Sequence, residues 1–157
     1  MHHPSLKMMQ DTIQVGRSAQ EKGDYTIGSI IVRDDEVIAS AHTQNTSQRF
    51  PLAHAEMLAI QQALEKIPSL EGCVLYTTLE PCPMCTGAAL WSRCDSIVFG
   101  ANKDDIRAVY QELYGTLEGL NHIDVSCSEI VRKSTHPLVV HPNYCREECV
   151  ELLRLFL

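Results

Sequence analysis

The chain has 157 residues, of which 45% are hydrophobic and 21% are charged. These values are typical of a single globular domain with a substantial core, and they exclude a disordered or fibrous protein. The formal net charge of −7 disfavours nucleic acid as a partner, because phosphate binding draws on Lys and Arg side chains.

Membrane and secretion signals are not evident in the printed sequence. It contains no run of about 18 or more apolar residues, so no transmembrane helix and no membrane partner are expected. The N-terminus lacks a basic region followed by an apolar run, which is the pattern of a signal peptide. Seven cysteines in such a chain favour reduced thiols, and we expect a cytoplasmic protein.

The first half of the chain predicts a helix, a β-hairpin and a second helix. An amphipathic pattern over 6–19 predicts the first helix. Strands are predicted over 27–32 and 37–41, joined by a charged turn. Apolar residues at helical spacing predict a helix over 54–67.

The second half predicts three more strands, over 73–78, 96–100 and 123–131, and helices over 82–91 and 143–157. Strands that alternate with helices indicate a layered α/β domain. The remaining segment, 104–121, carries Tyr110 and Tyr114 four residues apart, on one helical face. These tyrosines either pack in the core or form a wall of a pocket.

Two short segments combine the ligands of a zinc site. They are His54-Ala55-Glu56 and Pro81-Cys82-Pro83-Met84-Cys85. Zinc binds His nitrogen and Cys thiolate, and a catalytic zinc site uses three protein ligands while one position stays open. His54, Cys82 and Cys85 supply those three ligands. The alternative is a helix-capping histidine beside a redox or structural cysteine pair.

Glu56 lies two residues from His54 and is not needed as a ligand. Zinc can lower the pKa of a bound water from 15.7 to about 7, which provides hydroxide near neutral pH. A positioned carboxylate can take a proton from that water and pass it to a ring nitrogen and a departing amine. Glu56 is therefore the candidate proton shuttle of such a reaction.

These segments and their flanks resemble the cytidine and nucleobase deaminase superfamily, over about 27–101. The matching segments are Ile27-Gly28-Ser29-Ile30-Ile31-Val32, Ala53-His54-Ala55-Glu56, Leu75-Tyr76-Thr77-Thr78-Leu79-Glu80-Pro81-Cys82-Pro83-Met84-Cys85-Thr86-Gly87-Ala88-Ala89, Ser92-Arg93 and Val98-Phe99-Gly100-Ala101. The resemblance implies a single domain over 1–157, built as a three-layer α/β/α sandwich with a central five-stranded mixed sheet. It also implies one Zn²⁺ per chain and a homodimer or higher homo-oligomer.

The resemblance also implies positions that contact substrate. Family members often place Asn in the loop after the second strand, where this chain has Thr43, with Asn45 nearby. Guanine deaminases tend to have Phe where this chain has Ile27, whereas Trp91 matches an aromatic of guanine-deaminase-like members. For Trp91, a core or dimer-interface position is the alternative. The expected set is Ile27, Thr43, Asn45, Ala55, Pro81, Trp91, Tyr110 and Tyr114.

The expected substrate is a small heterocyclic amine, namely a free base, a nucleoside or a related amino-heterocycle, deaminated with release of ammonia. One alternative is deamination of adenosine to inosine at the tRNA anticodon, which needs an extruded base and a positive groove. The net charge and the scattered basic residues disfavour it. An alternative of another class is a non-catalytic, zinc-stabilised subunit, which would have no use for Glu56.

The C-terminal part, 104–157, diverges from the relatives, and 132–149 looks like an insertion. It contains two histidines and two cysteines at spacings that a metal could use: His136, His141, Cys145 and Cys149. A second, structural Cys₂His₂ zinc site is one interpretation. The other is that the cysteines are small apolar core residues and the histidines lie in a loop.

Overall fold

A five-stranded sheet with helices on both faces forms the protein in the computed structural model, which describes residues 2–155. The strands are β1 (Gly28–Arg33), β2 (Glu36–His42), β3 (Cys73–Leu79), β4 (Ser96–Ala101) and β5 (Val139–His141). The helices are α1 (Leu6–Ser18), α2 (Ala55–Leu64), α3 (Pro83–Trp91), α4 (Lys103–Tyr114), α5 (Cys127–Arg132) and α6 (Arg146–Arg154). Within residues 2–155, no helix has the length and apolar character needed to cross a membrane.

The sheet is mixed, as the resemblance implied. Its strand order is β2-β1-β3-β4-β5; β1 runs antiparallel to β2 and β3, whereas β3, β4 and β5 are parallel. The carboxyl ends of β2, β3 and β4 therefore lie at the same edge of the sheet as the amino end of β1. Side chains that follow or precede these strands are brought together at that edge.

Two apolar clusters, one on each face of the sheet, confirm the three-layer arrangement. Successive residues of a strand point to opposite faces, and Leu75 and Tyr76 of β3 belong to different clusters. The Leu75 cluster includes residues of α2, α3 and α5, such as Ile60. The Tyr76 cluster includes residues of α1, α4 and α6, such as Leu152.

The predicted strand over 123–131 is wrong. Ser126 and Glu129 form a complete capping box that starts helix α5, while Ile123 and Val125 are exposed before it. The fifth strand is β5, which pairs with β4 inside the stretch predicted to be an insertion. The last helix begins at Arg146 rather than at 143. Phe156 and Leu157, placed in that helix by the sequence pattern, lie outside the described residues.

Helix α1 and strand β1 approach each other so closely that both need glycine at the crossing. A Cβ atom added to Gly28 would lie 2.4 Å from the Gly16 nitrogen and 2.4 Å from the Thr12 carbonyl oxygen. Both neighbours are backbone atoms, so no side-chain rotation can relieve the contact. Gly28 also comes directly after Ile27, which lines the cavity described below.

We predict that Gly28→Ala lowers the free energy of unfolding by about 3 kcal/mol, at the upper end of the usual cost of overpacking. Gly87→Ala is the control, because a Cβ added there meets nothing within 4 Å. Alanine favours a helix over glycine by about 1 kcal/mol, so the control is expected to be neutral or slightly stabilising. Urea unfolding checks both variants, and equal stability would contradict the close approach.

Helices α4 and α6 are joined by a two-pronged ion pair. Arg146 donates from Nε to Oδ2 of Asp105 at 2.9 Å and from Nη2 to Oδ1 at 2.6 Å. Burial alone would raise the pKa of Asp105. The hydrogen bonds from Arg146 and from the Asn102 N–H outweigh burial and lower this pKa below its ordinary value of 3.8.

A depressed pKa makes the contribution of this ion pair depend on pH. The stabilisation is present above about pH 3.8 and is lost as pH falls through the folded-state pKa of Asp105. We predict that Arg146→Met is less stable than wild type at pH 7 and that the difference narrows below pH 4. Arg93→Met is the control, because the Arg93–Glu71 pair is exposed and contributes little at any pH. Thermal unfolding across pH checks both variants; a difference that does not shrink as the pH falls below 3.8 would refute this account.

Candidate active site

The site lies at the sheet edge where the ends of four strands meet the N-termini of three helices. His54 is the N-cap of α2 and Cys82 is the N-cap of α3, with Pro83 as the first helical residue. Proline suits this position because its fixed backbone angle fits a helix start and it has no N–H to leave unpaired. The sequence pattern placed His54 inside the second helix, whereas His54 immediately precedes the first residue of α2.

Three potential metal ligands converge at the N-termini of α2 and α3. The sulfurs of Cys82 and Cys85 each lie 3.6 Å from Nδ1 of His54, and all three atoms lie within 4.8 Å of one another. A tetrahedral zinc ion with Zn–S of about 2.3 Å and Zn–N of about 2.0–2.1 Å separates nitrogen and sulfur by about 3.6 Å. The spacing of the donor atoms therefore fits zinc.

The protonation of these groups also favours a cation. Hydrogen bonds from Cys85 and then His54 lower the pKa of Cys82 to about 4, so this sulfur is a thiolate at neutral pH. The hydrogen bond that Cys85 donates to Cys82 raises the pKa of Cys85. The hydrogen bond with Cys82 raises the pKa of His54 above its ordinary value. A thiolate at a helix N-terminus is a good zinc ligand.

Glu56 lies beside the three ligand atoms, in the first turn of α2. Only 4% of the residue is exposed, and burial raises the pKa of its carboxyl group to about 7. Its carboxyl group is within hydrogen-bonding reach of Cys85. A carboxyl group with this pKa can both accept and donate a proton near neutral pH.

The cluster opens into a cavity of about 370 Å³, within the range of small-molecule sites. His54, Glu56 and Cys82 line one part of it. The other walls come from the loop after β2, from α4 and from the segment between α4 and α5. Five of the predicted substrate positions line this cavity: Ile27, Thr43, Asn45, Pro81 and Tyr110.

Three predicted positions do not line the cavity. Ala55 is fully buried, and Tyr114 lies half-exposed against Tyr110, with ring centroids 4.7 Å apart. Trp91 is 91% exposed at the far end of α3 from Cys82. The core alternative for Trp91 is therefore wrong, and a position in a homodimer interface stays a prediction.

The second metal site does not form. Among the described residues, His54, Cys82 and Cys85 are the one group of at least three His, Cys, Asp or Glu side chains close enough to hold a metal. His136 Nε2 contacts the Cys94 carbonyl oxygen at 2.8 Å, and Cys149 is buried against Gly100. The alternative interpretation of the two cysteines as small residues packed among apolar side chains is confirmed. Cys149 belongs to the Tyr76 cluster, and Cys145 packs against it.

Sequence reasoning missed several polar residues of the cavity, among them Glu80, Lys103 and His122. Glu80 precedes Pro81 directly, so its place beside the ligand motif was the available signal. His122 directly precedes the segment 123–131, which was wrongly predicted to be a strand. Nε2 of His122 and Oδ1 of Asn45 are buried and, within the described structure, have no hydrogen-bond partner.

Comparisons with known proteins agree with this geometry. The tRNA-specific adenosine deaminase of Bacillus subtilis is 45% identical over 95 residues, which is 59% of this chain and 59% of that protein. The guanine deaminase of the same organism is 40% identical over 80 residues, 50% of this chain and 51% of that protein. This chain thus spans about three-fifths of the first relative and half of the second.

A solved structure from studies of A-to-I editing by tRNA:A34 deaminases at the wobble position is also similar. The match covers 95% of this chain and 100% of the chain in that structure. The two are 26% identical, with a TM-score of 0.76. These matches correct the expectation of a free base, nucleoside or small heterocycle as substrate. The tRNA-specific adenosine deaminase of Bacillus subtilis matches at higher identity and over a longer stretch than the guanine deaminase of the same organism does.

One family model matches residues 3–101, well over half of the chain: the cytidine and deoxycytidylate deaminase zinc-binding region. The matched residues include His54, Glu56, Cys82 and Cys85, and the donor atoms have the spacing that zinc requires. The chain therefore belongs to the zinc-dependent cytidine and deoxycytidylate deaminase family.

Proposed function

We propose that the protein deaminates adenosine to inosine in the anticodon loop of tRNA. The observation that carries the reaction is the buried Glu56 carboxyl group beside three convergent zinc ligands at one end of a cavity. The observation that favours tRNA is the match to tRNA-specific adenosine deaminases. The reaction consumes water and adenosine and yields inosine and ammonia.

In this proposal His54, Cys82 and Cys85 hold the zinc ion. When bound, zinc would supply the Lewis acidity that activates water near neutral pH. Glu56 accepts a proton from the water at its carboxylate and donates it to a nitrogen of the adenine ring. It then accepts the proton that remains on the former water oxygen and donates it to the departing amine, so that ammonia leaves and the carboxylate is restored. Because Glu56 is almost fully buried, bulk water does not compete for this proton.

Two unpartnered polar atoms support binding of a purine. Oδ1 of Asn45 accepts hydrogen bonds, whereas Nε2 of His122 donates or accepts according to its tautomer. Adenine presents ring-nitrogen acceptors and an exocyclic amine donor. A buried polar atom without a partner costs free energy, so a base that bonds to both atoms would gain affinity.

The opening of the cavity suits a nucleotide extruded from an RNA loop. Leu52 and Ile123 line the cavity and are 51% and 59% exposed, and Phe50, which precedes the cavity-lining Pro51, is 50% exposed. Proteins recognise single-stranded RNA loops largely by stacking splayed bases on aromatic and apolar side chains. Such contacts supply affinity that does not depend on a positive net charge.

We predict that His54→Ala or Cys82→Ser reduces the zinc content well below one ion per chain. Each variant removes one of three ligands, and a site with two ligands binds zinc weakly. Cys145→Ser combined with Cys149→Ala is the control and is expected to keep one zinc ion per chain. Metal analysis after dialysis measures the content; loss of zinc in the control would contradict this assignment.

We predict that zinc-loaded protein converts adenosine to inosine in a tRNA anticodon stem-loop with adenosine at the wobble position. Glu56→Gln is expected to lower the rate by about 10²- to 10⁴-fold while zinc content stays unchanged, because only proton transfer is lost. Nucleoside analysis after digestion of the RNA by mass spectrometry measures inosine directly.

The matched control substrates are the same stem-loop with guanosine at that position, free adenosine, guanine and cytosine. Turnover of a free base with the stem-loop untouched would overturn the proposed substrate. Full activity of Glu56→Gln on the stem-loop would overturn the proposed role of Glu56 instead.

A further inference from the structure

The half-buried Glu80 side chain binds two helices at once. Its Oε2 accepts a hydrogen bond from the Lys103 N–H at 2.8 Å, and its Oε1 accepts one from the Cys127 N–H at 2.9 Å. Its own backbone N–H donates to the Ala101 carbonyl oxygen at 2.7 Å. Glu80 therefore connects the end of β3 to the end of β4 and to the first residues of α4 and α5.

Neither helix needs Glu80 in order to begin. Helix α4 has a complete capping box formed by Asn102 and Asp105, and α5 has one formed by Ser126 and Glu129. The Glu80 carboxylate binds the N–H of the first residue in each helix in addition to these caps. Its role is therefore to hold the two helix starts at a fixed distance from the residues that follow it, Pro81 and Cys82.

The two helix starts carry the walls of the cavity. Helix α4 supplies Ile106 and Tyr110, and the segment that leads into α5 supplies His122 and Val125. Lys103 connects α4 to the segment that leads into α5, since its Nζ lies 2.6 Å from Oδ1 of Asp124. A displacement of either helix start would move these walls relative to Glu56 and the zinc ligands.

We propose that Glu80 is a positioning residue that sets the distance between these walls and the reacting groups. The effect of Glu80 on deamination of tRNA rests on the proposed function. A carboxylate accepts at both oxygens and carries a negative charge that helix N-termini favour. In a reaction that depends on orientation, a misplacement of about 1 Å can cost about 10²-fold in rate.

Glu80→Gln tests this proposal with little change of shape. An amide has one acceptor oxygen and an NH₂ group that only donates, so in either orientation it must face one of the two backbone N–H groups with a donor. Glu129→Gln is the matched control. It removes the same charge near the start of α5, where Glu129 Oε2 accepts from the Ser126 N–H, and Glu129 is not among the residues that line the cavity.

The experiment measures kcat and KM on the wobble-adenosine stem-loop, zinc content, and exchange of individual backbone amide hydrogens by NMR. For Glu80→Gln we expect kcat to fall about 10- to 100-fold with zinc content unchanged and with faster exchange at the Lys103 or Cys127 amide. For Glu129→Gln we expect kcat within about threefold of wild type and faster exchange confined to Ser126 and its neighbours.

Equal kcat values for Glu80→Gln and wild type would overturn the positioning role, as would equal losses in both variants. If wild-type protein left every stem-loop untouched, the proposed substrate would be wrong, and the amide exchange would decide for or against Glu80 separately. Unchanged protection of both the Lys103 and the Cys127 amides in Glu80→Gln would then overturn the proposal.

Discussion

The parallel pairing of β3 with β4 is the constraint on which the site depends. Because both strands end at the same edge, Cys82 caps α3 and Lys103 begins α4 there. The antiparallel pairing of β1 with β2 returns the chain to that edge before α2, which brings His54 to the two cysteines. A slip of one residue in either pairing would turn the strand faces over and separate these groups.

The negative groups of the site share one kind of environment. Cys82, Glu56 and Glu80 all lie at or against helix N-termini, which carry a partial positive charge. This local arrangement is independent of the net charge of the chain. The formal charge of −7 sums groups over the whole surface, and it misled the choice of substrate because it contains no information on the mouth of the cavity.

Local patterns were a good guide to the fold and to the convergence at the site. The spacing of His54, Cys82 and Cys85 and the periodicities of the nearby strands and helices can be read from short stretches of chain, and the three side chains do converge. The mixed sheet and the three layers were implied by the family resemblance, and the structure confirms both. Long-range contacts could not be predicted in this way. Glu80 binds residues 23 and 47 positions away, and the short strand β5 is defined by its partner β4 rather than by its own sequence.

The crossing of α1 over β1 has a consequence for sequence variation. Gly16 and Gly28 meet backbone to backbone, so a Cβ atom at either position would meet the main chain of the other. Each position has room for glycine alone while the crossing keeps its present distance. A related protein that acquires a side chain at either position must move its first helix and β1 apart, and the residue directly before β1, Ile27, lines the cavity.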